Sequence, residues 1–428
     1  MAVVKPFSAI RPQAVKAAEI AALPYDVVTK EEAREEIKKH PLSFLRVDRP
    51  ETEFPDETDM YSPEVYKKAG DNLWELLDKG DLCQDMEECY YIYELDDGKH
   101  VQTGVAACVS VDDYLNHVIK CHENTRPEKE LDRIRHIQGC QAQTGPIYLA
   151  HRPDPELRRL LDIRKRSYPS YNFLAEDGVR HKVWVIYQGN VIEKIQKLFG
   201  KMDSIYIADG HHRAAAAVKI AQKQREKNPM YTGKEPFNYF MSVLFPWDEL
   251  RIIEYNRVVK DLAGKTREEF LSEVEKYFFV KENGDSPVKP EKKGTFGLYV
   301  GKSWYNLKIK EEYRSSDSVK SLDVSILQDY LLEPVLGIHN PKEDPRIQFE
   351  GGVRGLQELE QEADQTDGAA FTLYPTSMEE LVKVADEGKL MPPKSTWFEP
   401  KLRSGLFIHS LKDEEDVHAD ILHHMEKE

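Results

Sequence analysis

The chain has only five cysteines in 428 residues, and no two of them are spaced C-x-x-C. Cys83, Cys89, Cys108, Cys121 and Cys140 are scattered and odd in number, so neither a disulfide framework nor a thiolate zinc site is expected. Apolar runs of bilayer-spanning length are missing, which argues against a transmembrane helix. The N-terminus lacks the basic-then-apolar pattern of a secretory signal. Reduced thiols and no leader pattern make the cytoplasm the expected location. Basic charge is also short: 60 Lys and Arg stand against 76 Asp and Glu, a net charge of −16. Nucleic acid and membrane are therefore not expected as partners. The local cluster Arg158, Arg159, Arg164, Lys165 and Arg166 reads as a solvated helix face. No internal repeat and no long low-complexity segment is present.

What is there is an ordinary globular composition, 40% hydrophobic and 32% charged, long enough for two or three domains. The pattern alternates strands and helices throughout, so the expected class is α/β (α+β). Residues 1–111 read as an N-terminal α/β unit. Thr29 with Glu32 caps a helix there, Ser62-Pro63 starts another, and Cys89–Leu95 and Val101–Val111 flank an Asp96-Asp97-Gly98 hairpin turn. Residues 112–261 form the chemically rich middle, with a polar helix near Pro127–Gln141, strands at Val183–Tyr187 and Phe240–Phe245, and a helix at Val191–Phe199. Residues 262–428 form a C-terminal α/β unit. Thr266 with Glu269 caps a helix running to Phe278, Phe296–Val300 and Ala369–Tyr374 are extended, Asp323–Leu332 is helical, and Ser377 with Glu380 caps a further helix. Asn283–Lys293 is the expected loop, and the glycines between Arg346 and Gly355 read as a turn.

Three clusters carry chemistry. The first is Asp209-Gly210-His211-His212-Arg213, set between the β-prone run Ile205–Ile207 and an alanine-rich helix. A helix N-terminus offers unpaired N–H groups and a partial positive charge to phosphate, and an arginine adds two parallel donors. The plainer reading is a capping turn with incidental histidines. The second is His122-Glu123-Asn124-Thr125, where a carboxylate beside an imidazole suits a general base. Its plainer reading is a capping loop, with Thr125 as N-cap, Pro127 early in the helix and Glu128 at the box position. The third is Met391 to Lys401, in which a proline pair stiffens a loop bearing Lys394, Ser395 and Thr396, with Arg403 close behind. It reads equally as a stiff connector packed by Trp397 and Phe398.

Taken together, these clusters resemble a large bacterial and archaeal family of unknown function. The shared features are K-P-F…R-P, P-Y-D-V-V, H-E-x-T, A-D-G-H-H-R and M-P-P-K-S-T-W-F-E-P-K, from Lys5 to about Ser410. More distantly, the order H-E, then a strand ending in D-G-H-H-R, then P-K-[ST]-T is similar to free serine kinases of the ParB/sulfiredoxin-like superfamily. That resemblance implies a ParB/sulfiredoxin-like core carrying extra N- and C-terminal units. It implies transfer of phosphate from a nucleotide, ATP or ADP with Mg²⁺, to the hydroxyl of a small metabolite, free L-serine first. Glu123 is then the base, and Gly210, His211, His212 and Arg213 hold the phosphates. Asp209 orients Mg²⁺ or the acceptor, and His122, Thr125, Lys394, Ser395, Thr396 and Arg403 bind the substrate. Departures exist: the interval from Glu123 to Asp209 is longer than in the compact kinases, and the first hundred residues have no clear counterpart. The alternative is a nucleotide-binding regulatory module of the ParB-like type without metabolic kinase activity. A homo-oligomer is compatible with either, and the catalytic reading requires the three clusters to converge.

Overall fold

The computed structural model describes residues 1–412 and divides into two compact units. Unit 1 comprises residues 1–120, 125–250 and the chain from Pro400 onward; unit 2 comprises Cys121–Asn124 and Arg251–Glu399. This differs from the three consecutive segments expected. Segment 1–111 and most of 112–261 share one sheet, residues 251–261 belong to unit 2, and residues 400–412 return to unit 1.

The sheet of unit 1 is built from β1 (Val4–Lys5), β2 (Tyr90–Asp96), β3 (Val101–Ser110), β4 (Ile119–Lys120), β5 (Ile147–His151), β6 (Tyr171–Leu174), β7 (Arg180–Ile186), β8 (Ile205–Asp209) and β9 (Tyr239–Pro246). Its order is β4-β8-β5-β9-β3-β2-β7-β6, with β1 also against β3. β8 runs parallel to β4 and β9 parallel to β5, while the other pairs are antiparallel, so the sheet is mixed. Tyr90 to Tyr93 and Val105 to Val109 are buried without alternation, as expected of strands covered on both faces.

Its main helices are α1 (Lys30–Lys39), α2 (Pro63–Asp78), α3 (Pro127–Cys140), α4 (Gly189–Phe199) and α5 (His211–Lys227). α1 starts at the Thr29/Glu32 capping box. α3 does not start as expected. Arg126, not Thr125, is its N-cap and makes no side-chain cap bond, and the Thr125 hydroxyl donates to Glu130. α2 and α3 touch backbone to backbone: a Cβ on Gly70 would lie 2.3 Å from Gly139 O, and one on Gly139 would lie 2.3 Å from Tyr66 O. α3 also packs Ile134 and Ile137 against Ala216 and Ile220 of α5. Alanine side chains let α5 be buried on several sides, and Ala214, Ala216 and Ala221 are all fully enclosed.

Unit 2 carries an antiparallel sheet of β10 (Tyr255–Val259), β11 (Phe278–Gly284), β12 (Thr295–Val300), β13 (Ser303–Ile309), β14 (Ile347–Gly351) and β15 (Ala369–Leu373), in the order β11-β13-β12-β15-β10-β14. Helix α6 (Arg267–Val274) ends four residues earlier than expected, because Phe278 is needed as the first residue of β11. α7 (Leu356–Thr366) packs Leu359 and Ala363 on Val258, Ala370 and the fully buried Trp304. α8 (Met378–Asp386) starts at the Ser377/Glu380 capping box. A two-stranded ribbon pairs Arg251–Ile253 with Trp397–Glu399.

One buried acid of unit 2 makes stability depend on pH. Both Asp323 carboxylate oxygens share the Gly294 N–H, at 2.9 and 3.1 Å. Burial nevertheless pushes this carboxyl up to about 7. The folded chain therefore holds the proton more tightly than the unfolded chain. This contribution to stability is complete below the ordinary carboxylate range and is lost as pH rises through about 7. Asp323→Asn is expected to flatten that part of the slope, read from urea midpoints between pH 5 and 8. An unchanged slope would assign it to another group.

Candidate functional site

In unit 1 the D-G-H-H-R segment folds as the sequence implies. β8 ends at Asp209, Gly210 adopts φ +95°, and α5 begins at His211. The φ of +95° requires glycine, and a Cβ there would also crowd Arg213 Nε at 3.0 Å. No side chain caps α5, and the dipole of a helix N-terminus favours an anion.

Asp209 is half-buried and heavily engaged. Its Oδ1 accepts the Gly210 N–H at 2.7 Å, and its Oδ2 accepts from Lys401 Nζ at 3.1 Å, across 192 residues of sequence. An Arg213 guanidinium nitrogen stands 3.9 Å away. Burial alone would raise this carboxyl, but Lys401 and Arg213, with His211 beside them, hold it well below the usual carboxylate range. Such a carboxylate is a poor fit for Mg²⁺, since its negative charge is already neutralised by two cations. Lys401 stands in the closing E-P-K motif. The reading of that segment took Lys394 to Thr396 for the chemistry and passed over this lysine.

Arg213 turns inward. It donates to Pro146 O at 2.5 Å and passes under Gly145, where a Cβ would lie 3.5 Å from its terminal nitrogen. Burial opposes its charge, while Asp26, Asp209, Tyr25 and Asp48 together raise its pKa. Tyr25 and Asp26 belong to the P-Y-D-V-V motif, so that motif braces Arg213. Arg133 covers the Tyr25 ring at 3.7 Å. Burial pushes the Tyr25 phenol up to about 12, in spite of Arg133. A cavity of ≈ 30 Å³ lies among Tyr25, Asp48, Arg133, Ile137, Arg213 and Ser404.

His211 is buried and His212 half-buried. His212 Nε2 accepts the Arg126 N–H at 3.1 Å, so in that arrangement a neutral ring carries its proton on Nδ1. Arg403 is also committed inside unit 1. It bonds to Asp177 and lies 3.3 Å from His181 Nε2, whose Nδ1 meets Tyr93 OH at 2.8 Å. At 5% exposure this arginine ties strands together, and substrate binding is not a role its partners leave open. Thr125 likewise serves Glu130, the carboxylate that pairs with Lys219 of α5.

In unit 2 the H-E segment meets the K-S-T loop, 274 residues later. His122 is buried, with Nε2 3.3 Å from Thr396 Oγ1, and its carbonyl accepts the Met391 N–H at 2.7 Å. Ser395 is buried and turns its hydroxyl to Pro392 O at 2.6 Å, while its carbonyl accepts from Thr376 Oγ1 at 2.9 Å. Lys394 is exposed and holds φ +58°, a left-handed conformation rare for a residue with a side chain. Its carbonyl accepts from Arg257 at 2.8 Å. The stretch from Arg346 to Gly355, expected as a turn, is instead strand β14 through Gly351 followed by a short 3-10 helix at Gly352–Arg354, and a Cβ on Gly351 would lie 2.9 Å from the Trp397 indole. Glu123 is half-buried at the edge of this arrangement. Arg257 escaped the sequence reading because one arginine in a strand looks like any solvent-facing position.

Among the described residues no helix is long and apolar enough to cross a membrane. No curated protein matches the chain. Several solved structures are similar at low identity. A free serine kinase variant in complex with AMP is 14% identical, with a TM-score of 0.38 over 71% of this chain and 92% of its own. A conserved hypothetical protein from Pyrococcus furiosus is 16% identical, with a TM-score of 0.36 over 71% of this chain and 94% of its own. SbnI from Staphylococcus aureus, truncated at its C-terminus, is 11% identical, with a TM-score of 0.36 over 75% of this chain and 94% of its own. A family match spans residues 4–325, and the chain therefore belongs to the family of proteins of unknown function DUF1015.

Proposed function

We propose that the chain is a nucleotide-dependent phosphotransferase that acts on the hydroxyl of a small metabolite, with free L-serine as the first candidate. The observation that carries the reading is the D-G-H-H-R turn: an uncapped helix N-terminus beside a carboxylate that Lys401 and Arg213 have neutralised. Such a turn attracts phosphate without a buried negative charge to repel it. Phosphoryl transfer asks mainly for positioning and charge neutralisation. In this reading the first turn of α5, with His211 and His212, holds the nucleotide's phosphates. Arg213 fixes the turn from beneath. Glu123 accepts the acceptor's hydroxyl proton, and His122, Lys394 and Thr396 bind the acceptor. The motif order H-E, D-G-H-H-R, P-K-S-T supports the assignment of serine and of ADP or ATP. Mg²⁺ accompanies the nucleotide rather than Asp209.

Lys401 and Asp209 give a test with opposite signs. Lys401→Met removes one of the two cations that neutralise the carboxylate and is expected to weaken ADP binding about 10–100-fold, the equivalent of a charged hydrogen bond. Asp209→Asn is expected to keep or raise the affinity. Calorimetry of both variants checks this. Loss of binding in Asp209→Asn would instead make that carboxylate a ligand of the nucleotide or its metal. The activity itself is read by mass spectrometry of a hydroxy-metabolite mixture incubated with ADP or ATP and Mg²⁺. Phosphoserine is the expected product. Nucleotide binding with no transfer to any hydroxyl would favour the regulatory module.

A further inference from the structure

Three arginines are buried among the described residues: Arg133, Arg257 and Arg403. Arg133 has Asp132 at 2.8 Å, and Arg403 has Asp177. Arg257 has no carboxylate among the described residues. Its guanidinium donates only to carbonyls: Tyr255 at 2.6 Å, Asn256 at 3.3 Å and Lys394 at 2.8 Å. It lies 4.6 Å from the Phe349 ring and 5.5 Å from the Tyr255 ring. Taking a guanidinium out of water is costly unless an anion compensates it. Burial accordingly lowers this group to about 10, with no carboxylate near to restore it.

The position of that charge is informative. The carbonyl it grips belongs to Lys394, whose ammonium also stands 5.5 Å from the Tyr255 ring. Two cations, one of them from the K-S-T loop, therefore stand within 5.5 Å of the Tyr255 ring, which opens β10. The loop above them is held at four points: Arg257 on Lys394 O, Thr376 on Ser395 O, His122 on Thr396 Oγ1, and Met391 N–H on His122 O. A pinned loop with an uncompensated charge beneath it is preorganised for an anion, because little ordering is left to be done on binding.

We propose that Arg257 makes the K-S-T loop of unit 2 a receptor for a small oxyanion, the carboxylate of an amino acid acceptor, with Lys394 as the contacting cation. Arg257 is a positioning residue: it fixes Lys394 and lends the loop its charge without facing the ligand. The proposal rests on the phosphotransferase reading for the identity of the acceptor, but binding is measured without nucleotide and so stands apart from turnover. A carboxylate and a phosphate group share the chemistry such a loop recognises, and separate arms distinguish them.

The test is calorimetry of the full chain with L-serine, ethanolamine and inorganic phosphate. Ethanolamine keeps the amine and hydroxyl of serine and lacks its carboxylate. Wild type is expected to bind L-serine at least about tenfold more tightly than ethanolamine. Arg257→Met is expected to abolish that preference, and Arg257→Lys, which keeps the charge, to restore part of it. A merely structural arginine would lower the melting temperature of both variants without changing the ratio. If Arg257→Met does not fold, Lys394→Ala, on an exposed side chain, provides the same comparison. Equal binding of L-serine and ethanolamine by wild type overturns the proposal, as does an unchanged ratio in a folded Arg257→Met. Tighter binding of phosphate than of L-serine overturns the carboxylate assignment. Discrimination without phosphoryl transfer would sink the kinase reading and leave the receptor standing.

Discussion

Glu123→Gln is expected to lower phosphoryl transfer by about 10²–10⁴-fold, the usual worth of a positioned general base. The amide keeps the size and polarity of the side chain and removes only its capacity to take a proton. The bonds of His122 through its carbonyl to Met391 and through its ring to Thr396 do not involve Glu123. Nucleotide affinity is therefore expected to stay within a factor of about two. Stopped assays of phosphoserine formation, paired with ADP calorimetry, separate the two effects. Turnover at the wild-type level would remove Glu123 from the chemistry. A parallel fall in ADP affinity would show that the substitution had disturbed more than the base.

The second large effect concerns stability. Gly139→Ala places a methyl group 2.3 Å from the Tyr66 carbonyl oxygen, and the obstacle is backbone, which cannot rotate aside. The helices must separate by about an ångström or more, loosening the contact that also carries the Tyr66 OH–Asp132 bond at 2.8 Å. A cost of about 3 kcal/mol or more is expected, the upper range of overpacking. It would lower the melting temperature by roughly 6–12 °C. Gly189→Ala is the control, because a Cβ there meets nothing within 4 Å. Equal melting points for the two variants would mean that α2 and α3 are not held at this crossing.

Much of the architecture was legible because its signals are local. The capping boxes at Thr29, Thr266 and Ser377 needed only a hydroxyl and a glutamate three residues apart. The strand, glycine and helix of D-G-H-H-R could be read from composition and the special dihedral at Gly210. What could not be read depends on partners distant in sequence. Thr125 looked like a cap, yet Arg126 is the N-cap of α3 and the Thr125 hydroxyl donates to Glu130. Arg213 and Arg403 looked like ligand-binding arginines, and no local signal showed that Pro146 O would take one donor of the first and Asp177 one donor of the second. Lys401 and Arg257 were missed for the converse reason, since their partners Asp209 and Lys394 lie 192 and 137 residues away. The division into units was hidden too. Strand pairing decides it, and no break in composition marks the points where the chain passes from one unit to the other.

The discontinuity of unit 1 has a consequence for biosynthesis. Ile10 exchanges both backbone hydrogen bonds with Ile408, and Leu411 closes on Gln141. A nascent chain must therefore keep Ile10 waiting until Ile408 has been made. Until then that edge is uncovered and open to chaperones or to wrong partners. Termination between Leu250 and Ile347 would release a chain with the unit 1 sheet complete, the unit 2 sheet unfinished and this seam unsealed.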